Sequence, residues 1–476
     1  MPVPTALGCS LIAAPLARRH GLICWRSGAV APYARIAWAL RPPGLFANRD
    51  SFEVVGSGHQ KDHVEELDWL GACDTTVTIG MLLQTICTRS NEGGGMEFSH
   101  VHIKNWKNFQ DLSFDVGPRL FIVGPNAVGK SNLLDVFRFL GDIVAPGGGM
   151  VQAVDQRGGY SKIQSLFGRR APYPRIDVSM RDGDDTWRYV LVIECEKSGH
   201  RRVLVQEERV ERNGRVLLSR PSQDDKDDVE LLTQTHLEQK VTNKKFRKIA
   251  DFFGQIRYFH PVPQVIRGLT GSDIRTSDPY GSDIIQQISE TPDRTRKARL
   301  RRVQAALQRA IPEFEELKLE KDSMGVPHLE VGYKNWRVRP SWQNETQFSD
   351  GTLRLLGLLW ALASTPADGS SVLLLEEPEL SLHSALVAEL PSVFAEARRQ
   401  VKGGVQIILS SHSAEIVDDE TVGADEVLVL LPGTNGTNGS LLGDREDVGC
   451  YLEIETPFSE IISVLMGADG TPSLTL

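Results

Sequence analysis

Eight consecutive residues, Gly124-Pro125-Asn126-Ala127-Val128-Gly129-Lys130-Ser131, constrain this chain more than any other feature. They match G-x-x-x-x-G-K-[ST], follow the apolar run 120–123 and precede Asn132-Leu133-Leu134-Asp135-Val136-Phe137, whose spacing predicts a helix. Such a match arises by chance on the order of 0.02 times in a chain of this size, before the strand and helix context is required. Gly124 and Gly129 permit a backbone path in which successive N–H groups surround phosphates at a helix N-terminus. Lys130 neutralises β- and γ-phosphate charge, and the Ser131 hydroxyl is a ligand for Mg²⁺, which is usually held by few protein oxygens plus the phosphates. The competing reading is a glycine-rich turn with an exposed lysine.

Three later segments continue the pattern. The apolar run 372–375 delivers Glu376-Glu377-Pro378-Glu379 at its end, the arrangement of a Walker B strand. Glu376 would hold the metal shell, and Glu377 would polarise the attacking water. Taken alone, the same acids could cap the next helix. A further apolar run, 405–409, ends in Ser410-Ser411-His412-Ser413, where His412 can hydrogen-bond a γ-phosphate. Ahead of both lies Phe348-Ser349-Asp350-Gly351-Thr352-Leu353-Arg354, opening the apolar helix predicted over 355–363.

In this order the chain resembles the ABC-type P-loop NTPase head. Ser349-Asp350-Gly351 stands where that family more often has S-G-G-Q, and Glu376 where it more often has Asp. Within the class it looks like the RecF- and SMC-related stand-alone predicted ATPases of bacteria, an AAA family. Ile103-Lys104-Asn105-Trp106-Lys107-Asn108-Phe109 resembles their I-x-N-F-K-x-F, and the phosphate loop with Ser131-Asn132-Leu133-Leu134 resembles their G-x-N-x-x-G-K-S-N-L-L. Arg157-Gly158-Gly159, residues 258–267 and residues 349–354 add to the likeness, which covers 96–476 and none of 1–95.

The resemblance implies an α/β fold with a mixed β-sheet, an antiparallel β subdomain and a helical insertion at 150–345, between the phosphate loop and the signature motif. It implies Mg²⁺-dependent ATP hydrolysis, with Glu377 and His412 catalytic and Gly124, Pro125, Asn126, Gly129, Lys130, Ser131 and Asn132 around the nucleotide. Ser131 and Glu376 would be the metal ligands. Ser349 and Gly351 of one protomer would cap the ATP of the other in an ATP-dependent homodimer. Gln152, Gln156 and Gln164 all stand as candidates for the family's Q-loop glutamine. Two roles are implied for such a head, DNA repair or maintenance, or a sensor and regulator subunit of an anti-phage defence system with a separately encoded effector; a transporter motor ranks last. DNA and the effector are therefore the partner classes left open.

Residues 1–95 differ from the rest of the chain. Six arginines and no acid precede Asp50, four of the six cysteines precede Met96, and no sustained periodicity is present. The segment reads as a poorly ordered extension or as a start assigned too far upstream, with Met96 the functional one. No cysteine pair has metal-ligand spacing, and no apolar run reaches membrane-spanning length, which implies a reducing, cytoplasmic setting without a membrane partner. The net charge of -9 assigns any nucleic-acid contact to a local patch. One candidate patch lies in 293–317, predicted helical. There Arg294, Arg296, Lys297, Arg299, Arg301, Arg302 and Arg309 accompany the apolar stripe of Leu300, Val303, Leu307 and Ile311. Strands are predicted over 98–103, 112–116, 176–180, 187–195 and 202–211, an acidic turn at 224–228, and a helix near 240–253.

Overall fold

The phosphate-loop strand is apolar from Leu120 to Val123 because both of its faces are covered. The computed structural model describes residues 95–165, 167, 173–268, 278–334, 340–365, 371–401 and 404–468, so the reading of 1–95 lies, apart from Gly95, outside the described residues. Three strands open the described chain: β1 (Glu97–Trp106), β2 (Phe109–Asp115) and β3 (Arg119–Val123). A second group comprises β4 (Arg175–Asp182), β5 (Asp185–Cys195), β6 (Val203–Arg212) and β7 (Arg215–Arg220). Next come β8 (Ile256–Phe259), β9 (Phe314–Lys321), β10 (Pro327–Tyr333) and β11 (Ser341–Asn344). The last are β12 (Ser371–Glu376), β13 (Val405–Ser411), β14 (Val427–Gly433) and β15 (Gly436–Leu441).

One six-stranded sheet, in the order β2-β1-β4-β5-β6-β7, is antiparallel throughout. A second, ordered β15-β14-β3-β13-β12-β8, is parallel except for the β14–β15 hairpin. A three-stranded meander, β11-β10-β9, forms the third. Residues 150–345 thus contribute strands to all three sheets.

The runs 120–123, 372–375 and 407–409 are continuously apolar because alternate side chains enter different cores. Leu120, Ile122, Val372, Leu374 and Ile408 share one core with Leu133, Phe137 and Leu140 of the phosphate-loop helix α1 (Lys130–Val144). Phe121, Val123, Leu373, Leu375, Ile407 and Leu409 enter the other. That second core holds three more helices, α2 (Asp293–Ala310), α3 (Asp350–Ala363) and α4 (Ser384–Gln400). Side-chain alternation therefore places α1 and the signature helix α3 on opposite faces of the sheet that joins them.

Two sequence expectations are corrected. The helix expected over 293–317 stops at Ala310, and Phe314 opens β9. Ile311 is extended (φ -133°, ψ 100°), as the residue before Pro312 prefers, and so leaves the helical stripe. The acidic turn at 224–228 is instead a short helix, Gln223–Asp227, started by a capping box between Ser222 and Asp225. Asp225 is buried there because it pairs with Arg220.

Candidate active site

Helix α1 begins without a side-chain cap. Its N-cap is Gly129, at φ 105°, a conformation open to glycine, and a Cβ there would lie 2.1 Å from Asn108 Nδ2. A side chain on Gly124 would meet the Leu430 carbonyl. Ala127 too has positive φ, 63°. The loop therefore turns tightly ahead of a helix whose first N–H groups no side chain has claimed, the arrangement that binds an anion.

Lys130 is buried, and its ammonium donates to Gly124 O at 2.7 Å and Pro125 O at 3.1 Å. It also donates to His412 Nδ1 at 3.1 Å, which leaves the proton on Nε2 to be donated to Glu377 Oε1. Burial pushes the lysine below its ordinary value, against the opposing pull of Glu377, Glu379 and Glu376. The lysine is thus held at the mouth of the loop, where a phosphate could displace the two backbone acceptors.

β13 lies between β3 and β12, so His412, just past its end, reaches both the loop lysine and the Walker B glutamate. Glu377 has φ 46°, a backbone cost of about 1–3 kcal/mol for a residue other than glycine. Its N–H is tied to Ser410 O at 3.0 Å. Glu379 lies behind the pair. Its Oε1 accepts from the Ser411 hydroxyl at 2.7 Å and from His412 N–H at 2.8 Å, fixing the turn that aims the imidazole.

Glu376 ends β12 with Oε2 accepting from the Tyr258 hydroxyl of β8, leaving its other oxygen for a cation or the water around one. Burial, and then the bond to Glu376, push the Tyr258 phenol far above its ordinary range, so it remains a donor. Ser131 lies exposed in the first turn of α1. A hydroxyl and a carboxylate are the hard oxygen donors that Mg²⁺ takes, so these residues fit the ion. Asn132 Nδ2 donates to Asn108 Oδ1 at 2.7 Å. Asn108 Nδ2 in turn donates to Val128 O and to Thr437 Oγ1, each at 2.6 Å, which braces the loop from β15. Pro125 is half-buried and Asn126 exposed on the same loop.

Ser349 is the N-cap of α3, accepting from Thr352 N–H at 3.1 Å. A Cβ on Gly351 would lie 2.5 Å from Ser381 O, so the signature helix starts against the segment just past Glu379. Within one chain, Ser349 and Gly351 engage that segment and their own helix, whereas Lys130, His412 and Glu377 form one connected group. Of the three candidate glutamines, Gln152 and Gln156 are exposed, while Gln164 bridges to Trp106 beside the Asn108 turn.

Four contributors carried no clear sequence signal. Glu379 belongs to the acidic run, Tyr258 to the segment 258–267 and Asn108 to the first-strand motif, but none of these placements specifies a partner. Thr437 had no signal at all, being a threonine in a distant hairpin.

A family model described as "AAA domain, putative AbiEii toxin, Type IV TA system" matches residues 120–418. A search of curated proteins found no match. Among solved structures, an Smc head bound to the C-winged helix domain of ScpA is similar at 13% identity, covering 72% of this chain and 96% of that one, with a TM-score of 0.42. The SMC head domain from Thermotoga maritima gives 14% identity, 72% and 98% coverage and a TM-score of 0.40. An Smc head domain with an extended coiled coil, bound to the C-terminal domain of ScpA and derived from Pyrococcus furiosus, gives 12% identity, 76% and 100% coverage and a TM-score of 0.43.

Proposed function

Because the chain belongs to the AAA-domain family whose model matches residues 120–418, we propose that it is an ABC-type P-loop ATPase that hydrolyses ATP between two head domains closed around nucleotide. The observation that carries this reading is the chain of contacts from Lys130 through His412 to Glu377. ATP phosphates take the place of Gly124 O and Pro125 O as acceptors for Lys130 and sit on the uncapped start of α1. Mg²⁺ held by Ser131 and Glu376 would supply charge neutralisation between the β- and γ-phosphates. Glu377 orients the attacking water, and His412, fixed by Glu379, hydrogen-bonds the γ-phosphate from its strand end. Ser349 and the start of α3 from a second protomer complete the site, bringing a hydroxyl and a helix N-terminus to the γ-phosphate. Opening and closing of this dimer would drive DNA repair or maintenance.

Removing the lysine charge in Lys130→Ala should weaken ATP binding, whereas Glu377→Gln should bind ATP, fail at the chemical step and sediment as a dimer. Adding Ser349→Arg should return that dimer to monomer. A Glu377→Gln protein that stays monomeric with ATP bound would overturn the two-headed site.

The family description, which names a toxin of a Type IV toxin–antitoxin system, favours a second reading. In it the same ATPase is the sensor or regulator subunit of an anti-phage defence system, controlling a separately encoded effector. An adjacent reading frame for a nuclease or other toxic protein would support this role over DNA maintenance.

A further inference from the structure

Helix α2 spans eighteen residues and buries Leu300, Val303 and Leu307. At 100° per residue, the direction opposite these three holds Ala298 and Ala305, flanked by Arg294, Arg301, Arg302 and Arg309. All four arginines are exposed, and that outward arc contains no carboxylate. Arg301 and Arg309 each direct Nε at a carbonyl of their own helix, Lys297 O and Ala305 O. Among the described residues, none of the four forms an ion pair.

The remaining basic residues are already engaged. Arg296 and Lys297 pair with Asp293, and Arg296 also donates to Ser289 O and Thr291 O. Arg299 lies half-buried, with its guanidinium 5.8 Å from the centre of the Trp360 ring on α3. The seven basic residues of the sequence therefore divide into three held by the fold and four left outward. In a chain of net charge -9, four guanidinium groups on one face repel each other, and among the described residues no carboxylate lies within ion-pair distance of them.

We propose that the outward face of α2 binds the phosphate backbone of a nucleic acid. Guanidinium suits phosphate because its planar donors match two oxygens at once, and the small Ala298 and Ala305 let a backbone approach the helix between the arginines. From Arg294 to Arg309 the arc covers roughly 22 Å at the helical rise. That length of duplex carries about 13 phosphates, enough to engage all four groups. The opposite face of α2 shares a core with Leu356 and Trp360 of α3. Occupancy of α2 is thereby felt by the helix that Ser349 caps, and this coupling, unlike the binding itself, rests on the two-headed ATPase reading.

The test is fluorescence anisotropy of labelled duplex and single-stranded oligonucleotides with the full chain at 50–200 mM salt (roughly the range over which such contacts weaken). Four duplex contacts predict a log-log slope of about -3.6, so affinity falls about 150-fold across that range. Arg301→Gln with Arg302→Gln should reduce the slope by about 1.8 and weaken binding about 60-fold at 0.1 M salt, with unchanged melting and basal ATP turnover. The same double variant should abolish any change in turnover that DNA causes in the wild type. Absence of DNA binding by the wild type, or an unchanged slope in the double variant, would overturn the proposal. Equal binding of polyglutamate would also overturn it, reassigning the face to an acidic protein. Failure of the Glu377→Gln dimer with DNA binding intact would instead remove the two-headed reading and leave this surface standing.

Discussion

Replacing Tyr258 with phenylalanine isolates one hydrogen bond. The ring remains to pack against β12 and to receive the Arg138 guanidinium, 4.8 Å from its centre. What disappears is the hydroxyl that donates to Glu376 Oε2. A hydrogen bond to an ionised acceptor contributes about 1.5–3 kcal/mol, and here that energy holds the longer glutamate side chain in one orientation. If all of it served the metal, half-saturating Mg²⁺ would rise about 10- to 150-fold, since 1.4 kcal/mol is tenfold. Water that enters to solvate the freed carboxylate recovers part of this, so the expected shift is about tenfold. Two titrations measure it: Mg²⁺ dependence of ATP turnover at saturating ATP, and Mn²⁺ binding with ATP by electron paramagnetic resonance. ATP affinity in EDTA should not change, because metal-free binding depends on Lys130 and the loop. A variant with a lower melting temperature but unaltered metal dependence in both titrations would show Tyr258 to be a strut of the sheet, refuting its role in aiming Glu376.

Glu379→Ala would leave the His412 N–H without its acceptor, at about 1–3 kcal/mol in stability, while the Ser411 hydroxyl keeps the Ser413 carbonyl 3.0 Å away. The misaimed His412 should also lower kcat about 100-fold, with ATP binding little changed; denaturant melts and single-turnover assays measure the two effects separately. In the meander, His328 Nδ1 lies 2.7 Å from the buried Glu345 carboxylate, and that hydrogen bond raises the histidine above its ordinary 6.5. A raised folded value means that the stabilisation is complete below about pH 6.5 and fades as pH rises through the folded value. The melting difference between wild type and His328→Gln should therefore be largest in mild acid and shrink toward pH 9 (about 2.5 units above the unperturbed value); a difference independent of pH would contradict the assignment.

Two missed boundaries were present in the sequence as local chemistry. Pro312 disfavours helix at Ile311, and Ser222 with Asp225 forms a capping box ahead of the acidic run. The hydrophobic periodicity across 300–311 and the run of acids obscured both signals. The outward arc on α2 was half legible. Spacing alone separated basic from apolar faces and sets Asp293 three and four residues ahead of Arg296 and Lys297, but only the position of Trp360 shows that Arg299 is committed to the fold.

The phosphate loop is legible without any fold, because its chemistry lies within eight contiguous residues whose backbone path is set by their own glycines and by the strand and helix on either side. The carboxylates after 372–375 and the histidine after 405–409 are legible in the same way, since apolar runs that deliver polar residues at their ends are local patterns. Which of these groups meet is a property of the folded chain. Inserting β13 between β3 and β12 brings His412 between Lys130 and Glu377, and pairing β8 with β12 gives Glu376 its tyrosine. Parallel strands are joined through crossovers whose length and composition leave the neighbour unspecified, so strand order is set by how the two faces of the sheet are packed and not by any one segment's pattern.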